Sequence, residues 1–271
     1  MQFNNDVQHE GQDRSRAVLI IIMIASFVLP IPYLAIIQGL QLSGLPVYML
    51  QLGLYLVLAL LAVWGLRSYQ IALPVSKGRL LKAVAWAVVS WAVYASLIGG
   101  LGMADVWGEL RTLASTPAVV LLARIFMSWL VVGMVEELLF RGTLLPAFHR
   151  YLSWGRGNWR IAVAILLSSA FFSIWHLPIR FTWLMSGEIG PALLLLSLLV
   201  VFLEGLAFAY LYVRTNNLLL VGLVHGLVDL PLVGASTQLS SIILLVCIAG
   251  VEAARWVAKR RASAEEAPVQ G

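Results

Sequence analysis

Cysteine and charge are the two things this sequence has least of. Cys247 is the only cysteine in 271 residues, which rules out an intrachain disulfide and any CxxC metal or redox motif. Charged residues make up 11% of the chain, 18 lysines and arginines against 13 acidic residues. That is too few to coat a soluble domain, and the 61% hydrophobic content lies well above the roughly 45–50% usual for one. No polar stretch is long enough to form a separate soluble unit, no internal repeat is visible, and the HExxH signature of zinc proteases is absent. The formal net charge of +5 does not point to nucleic acid. The basic residues stand in short clusters between apolar runs instead of along one polar face.

What the chain does have is apolar runs near the ~20-residue length that crosses a bilayer. They fall at about 17–37, 47–66, 83–103, 117–145, 161–181, 191–213, 218–235 and 239–257. The expected fold is all-α, a polytopic membrane helix bundle of about eight transmembrane helices. Residues 1–16 read as a polar tail with no cleavage site ahead of an uncleaved first helix, 17–257 as a single transmembrane domain, and 258–271 as a charged tail of disordered composition. Pro30 and Pro32 are expected to kink the first span. Trp91, Trp107, Trp154 and Trp183, near span ends, read as interfacial anchors.

Arg14 and Arg16, then Arg67, Lys77, Arg79 and Lys82, then Arg150, Arg156 and Arg160, then Arg214, and finally Lys259, Arg260 and Arg261 all fall on one side of an eight-span arrangement. Connections on the other side carry only Arg111 and Arg180. The positive-inside rule then puts both termini in the cytosol of a multi-pass protein, in the plasma membrane if the host is bacterial.

Against this background, three polar features inside apolar runs need a reason. In "GMVEELLFRG" Glu136 and Glu137 adjoin, and each carboxylate at a membrane centre costs about 2.5–3.5 kcal/mol unless compensated. Glu137 and Arg141 are four apart and share a helical face in the favoured acid-before-base order. Glu136 points about 100° away, toward the face of Gly133 and Phe140, and is left as the candidate reactive group. In "SSAFFSIWHLPIR" Phe172 and His176 share a face, and in "VGLVHGLVDLP" so do His225 and Asp229. Each feature alone has a structural explanation: an ion pair closing a helix end, a histidine bonded to backbone, a local His–Asp contact. At 1.5 Å per residue from the cytosolic helix ends, Glu136 lies about 14 Å deep, His225 about 10 Å, Asp229 about 16 Å and His176 about 22 Å. The overlap suggests one polar site reached from the cytosolic half. The outlying histidine implies that its helix starts later than Ile161 or is tilted.

These residues resemble a known family. "EELLFR" is similar to the EExxxR motif, "FSIWH" to FxxxH and "HGLVD" to HxxxN/D of the CPBP intramembrane proteases, which include the type II CAAX prenyl endopeptidases and bacteriocin-immunity homologues. The resemblance covers about Val119 to Ala235, giving an expected protease core at about 117–235. It implies that Glu136 and His176 activate a water, that His225 and Asp229 stabilise the oxyanion, and that Glu137, Arg141 and Phe172 support them. Asp229 stands where the prenyl endopeptidases have asparagine. An ionised Asp229 would repel an oxyanion, so it must be protonated or orient His225 instead.

The favoured reading is an intramembrane endopeptidase that needs no cofactor. Glu136, His176 and His225 could also form a His₂Glu zinc set with an open position. The expected partners are the bilayer and a membrane-associated peptide or protein, prenylated or not, and no nucleic acid. A proton-coupled transporter using the same Glu, His and Asp residues and a non-catalytic membrane scaffold are the rival readings.

Overall fold

A computed structural model describes residues 5–71, 73, 76–151, 158–235 and 239–265. Its described elements are α-helical: α1 Asn5–Val28, α2 Pro30–Gly39, α3 Leu45–Tyr69, α4 Lys77–Gly100 and α5 Val106–Ser115. There follow α6 Ala118–Tyr151, α7 Asn158–Trp175, α8 Leu177–Met185, α9 Pro191–Thr215, α10 Leu218–Asp229 and α11 Ser241–Glu265. Among the described residues, seven spans are long and apolar enough to cross a membrane, two of them composite, α1 with α2 and α7 with α8. The fold is the all-α polytopic bundle expected. Its outer face keeps large apolar side chains uncovered, Val119 and Leu81 among them. In a chain this poor in charge, that face suits lipid.

Local signals set the ends. Ser76, Asp105 and Asn217 cap α4, α5 and α10 by accepting from the backbone N–H three residues on. The first span breaks at Leu29, just before Pro30, because proline cannot donate to the preceding turn. The ending 258–265, expected as a disordered tail, continues α11 as far as Glu265. Its Ala, Lys, Arg and Glu are good helix formers. Arg156, Trp154 and residues 266–271 lie outside the described residues.

The run at 218–235 behaves differently from the others. Its helix stops at Asp229 after 12 residues, about 18 Å of rise against a hydrocarbon core of about 30 Å. The chain then continues without helical bonding, and its polar backbone is met by side chains. Trp129 Nε1 donates to the Leu230 carbonyl (3.1 Å), Trp91 Nε1 to that of Pro231 (2.6 Å) and Tyr94 to that of Gly234 (3.3 Å), while Gly234 N–H donates to Glu109. Irregular backbone at membrane depth is tolerated where protein satisfies it. Trp91, expected as an interfacial anchor, thus also holds this loop.

Helix α10 packs between α4 and α6, while α3 lies along the second half of α6 and α9 along α7. Within α6, two wide π-helical stretches, Phe126–Val132 and Leu138–Leu144, flank a single α-helical turn, Gly133–Glu137. Such widened turns are rare and concentrate at functional sites. Glycines bring α6 and α10 into backbone contact. A Cβ on Gly133 would lie 2.6 Å from the Gly222 carbonyl oxygen, and one on Gly226 would lie 2.4 Å from Trp129 Cα. Small residues at the crossing are what permit this approach.

Gly226→Ala should therefore lower the melting temperature in detergent, by the equivalent of about 1–3 kcal/mol, because backbone cannot yield as a side chain would. Gly53, whose added Cβ would meet nothing within 4 Å, should tolerate alanine without loss. Equal behaviour of the two variants would contradict the close-contact account.

Candidate active site

The turn between the π-helical stretches carries Glu136 and Glu137, both buried although they point in different directions. Glu137 faces inward along α6. Its Oε1 accepts from Arg141 Nη1 at 2.9 Å, one turn on, as the four-residue spacing predicts. The same oxygen lies 2.8 Å from His225 Nδ1 on α10. Arg141 also donates through Nη2 to the Gly205 carbonyl on α9 at 2.9 Å, and its guanidinium lies 4.4 Å from the Phe172 ring centre. Side chains of Glu137 and Arg141 are wholly inaccessible. The pair ties α6, α9 and α10 together.

Glu136 turns away, toward α3. Tyr55 donates its hydroxyl to Glu136 Oε1 at 2.5 Å. The other carboxylate oxygen, Oε2, is buried and has no hydrogen-bond partner among the described residues. It lies 3.7 Å from His225 Nε2, beyond direct hydrogen-bond reach. His225 Nε2 is also 3.7 Å from Asp229 Oδ2, one turn further along α10. The imidazole is held flat by Phe208, ring centres 4.7 Å apart, and touched edge-on by Phe172. Because Glu137 engages Nδ1, the ring is oriented by Glu137 and not by Asp229. Asp229 is the most open of the set, its side chain 39% exposed.

His176 sits at the break between α7 and α8. Helix α7 begins at Asn158, ahead of Ile161, so the later start considered for this helix does not occur. Its Nδ1 is 2.8 Å from the Phe172 carbonyl. A carbonyl can only accept, so Nδ1 carries the proton and a neutral ring presents a lone pair at Nε2. His176 and Glu136 line one cavity of about 210 Å³, together with Tyr55, Trp175 and Gln51.

The three motifs expected to meet are thus gathered in one place: Glu136, His225 and Asp229 by distance, and His176 through the cavity it shares with Glu136. Phe172 is the hinge of the packing, contacting Arg141 and both histidines. No three His, Cys, Asp or Glu side chains among the described residues converge as a metal-ligand set. The zinc arrangement considered for Glu136, His176 and His225 does not fit this geometry, and no step below runs through a metal. Tyr55 and Phe208 carry no motif, and sequence reading missed both. The one available signal was a phenol in mid-span, which must find a partner when buried. Glu204 was also missed; it accepts a hydrogen bond from Ser241 on α11.

Residues 117–231 match the family model described as Type II CAAX prenyl endopeptidase Rce1-like. The matched stretch holds all three motifs and excludes α1 to α5, including Tyr55. Searches of curated proteins and of solved structures returned no match. The match covers under half of the chain and is a likeness to that family over α6 to α10.

Replacing Arg141 by alanine should sharply reduce the yield of folded protein. It leaves Glu137 buried without its cation and the Gly205 carbonyl without its donor, and breaking a buried pair from one side costs about 3–5 kcal/mol. Fluorescence-detected size exclusion of Arg141→Ala against wild type measures this, and an unchanged monodisperse yield would contradict it.

Proposed function

We propose that the chain is an intramembrane endopeptidase whose base is Glu136, with the reactive core spanning about 117–235. The observation that carries this is the buried Glu136 Oε2, without a hydrogen-bond partner among the described residues while its sister oxygen is fixed by Tyr55. A carboxylate held in one orientation, with one oxygen open beside a cavity and two imidazoles close by, suits general-base chemistry on water.

In this reading a water sits against Glu136 Oε2 and the lone pair side of His176. Glu136 takes its proton as the oxygen attacks the scissile carbonyl carbon. His225, protonated at both nitrogens, donates Nδ1–H to Glu137 and Nε2–H to the developing oxyanion. Glu136 then returns the proton to the leaving nitrogen, the C–N bond breaks, and the carboxylic acid formed passes its remaining proton to the amine, leaving a carboxylate and an ammonium. Glu137 is a positioning residue: it aims His225 and, with Arg141, anchors the turn that presents Glu136. Asp229, 3.7 Å from His225 Nε2, assists the oxyanion as a protonated donor.

Glu136→Gln should be purified in wild-type amounts yet lose turnover by about 10²–10⁴-fold, because volume and the Tyr55 contact survive while the base does not. Retained cleavage would end the assignment. At Asp229 the amide keeps a donor, so Asp229→Asn should hold substantial activity and Asp229→Ala much less. Activity lost on exhaustive chelation, restored by zinc and absent in Asp229→Asn would instead establish a metal mechanism.

A further inference from the structure

Gln38 and Gln70 stand at helix ends, in the last turn of α2 and at the C-terminal cap of α3. Gln51 does not. It sits inside α3, six residues and about 9 Å from the start at Leu45, with Met49, Leu50, Leu52 and Leu54 around it in sequence. Its carboxamide forms no hydrogen bond with any described residue. An amide kept partly buried in an apolar bundle without a partner is unfavourable, and the chemistry proposed for Glu136 does not use it.

Gln51 lines the cavity of about 210 Å³ that also holds Glu136 and His176. Leu34, Leu54 and Ile179 give that cavity apolar walls. One turn along α3 from Gln51, Tyr55 donates to Glu136, and four residues of helix rise about 6 Å. An extended peptide advances about 3.3–3.4 Å per residue, so a chain running along α3 with its scissile carbonyl at Glu136 passes Gln51 about two residues away. A carboxamide both donates and accepts. It can therefore pair with a peptide group whose N–H and C=O are both free, as in an extended segment and not in a helix, where the neighbouring turns occupy both.

We propose that Gln51 is a specificity-determining residue: its carboxamide binds the substrate backbone about two residues from the bond attacked at Glu136. The site so built takes an apolar segment in extended conformation, with its side chains against Leu34, Leu54 and Ile179. This subsite rests on the protease reading of Glu136.

Two measurements on Gln51→Met, which keeps the length of the side chain and removes the amide, test it. Melted in detergent, the variant should hold at or above the wild-type temperature, because an unpartnered amide gives way to an apolar group. A fall would make Gln51 a packing residue and overturn the subsite. Turnover is then read on quenched-fluorescent apolar peptides, selected as wild-type substrates from a library varied one position at a time, and on analogues in which an ester oxygen replaces one backbone N–H at a time. Wild type should lose about 3–10-fold in kcat/KM, the range of one hydrogen bond, for the ester about two residues from the cleaved bond. Gln51→Met should be slower by a similar factor on the all-amide peptide and lose nothing more at that ester. Full activity of Gln51→Met, or an ester profile like that of wild type, overturns the subsite, while cleavage abolished by Glu136→Gln leaves the protease reading standing. A wild type that cleaves no member of the library, or no faster than Glu136→Gln, overturns that reading and the subsite with it.

Discussion

Everything at this site depends on one carboxylate oxygen, Glu137 Oε1, shared between Arg141 Nη1 and His225 Nδ1. A lone buried carboxylate in an apolar bundle would be unfavourable. Paired with a cation on its own helix and an imidazole on another, it becomes the joint between α6 and α10. The arginine extends that joint to α9 through Gly205. Because Glu137 absorbs both partners, the adjacent Glu136 is free of the arginine and meets only a phenol and the far nitrogen of the same imidazole. Two of its atoms, Glu137 Oε2 and Arg141 Nε, have no hydrogen-bond partner among the described residues.

Packing makes the joint geometrically possible. Glutamate and histidine from two helices can share a hydrogen bond only if the backbones come close, and Gly133, Gly222 and Gly226 remove the side chains that would hold them apart. The π-helical stretches on either side of the glutamate turn change the phase of α6, so that Thr143 bonds the carbonyl five residues back as well as Ala62 on α3. The short α10 completes the arrangement. Its early stop at Asp229 puts the last polar side chain at a helix end beside His225, and the tryptophans of α4 and α6 hold the irregular chain beyond.

Much of this was legible in the residues themselves. The Glu137–Arg141 pair follows from i,i+4 spacing, and the separation of Glu136 follows from the 100° turn. The bundle follows from apolar runs of crossing length. Other features were not legible, for physical reasons. Tyr55 looks like any span tyrosine until the neighbour of its hydroxyl is known. Hydropathy cannot show that 218–235 is helical for only its first 12 residues, because the remainder is equally apolar and is stabilised by donors on distant helices. Depth counted along a helix gives distance from an end, but not which side chains a break such as the one at His176 brings to one cavity.

The central claim is that two neighbouring glutamates divide the work, Glu137 holding the fold and Glu136 left for chemistry. Melting Glu136→Gln and Glu137→Gln side by side in detergent tests it most directly. The account predicts a melting temperature at or slightly above wild type for Glu136→Gln. For Glu137→Gln, which leaves Arg141 buried without its counter-ion, it predicts a fall on the order of 5–10 °C. Equal falls, or a larger one at Glu136, would contradict it.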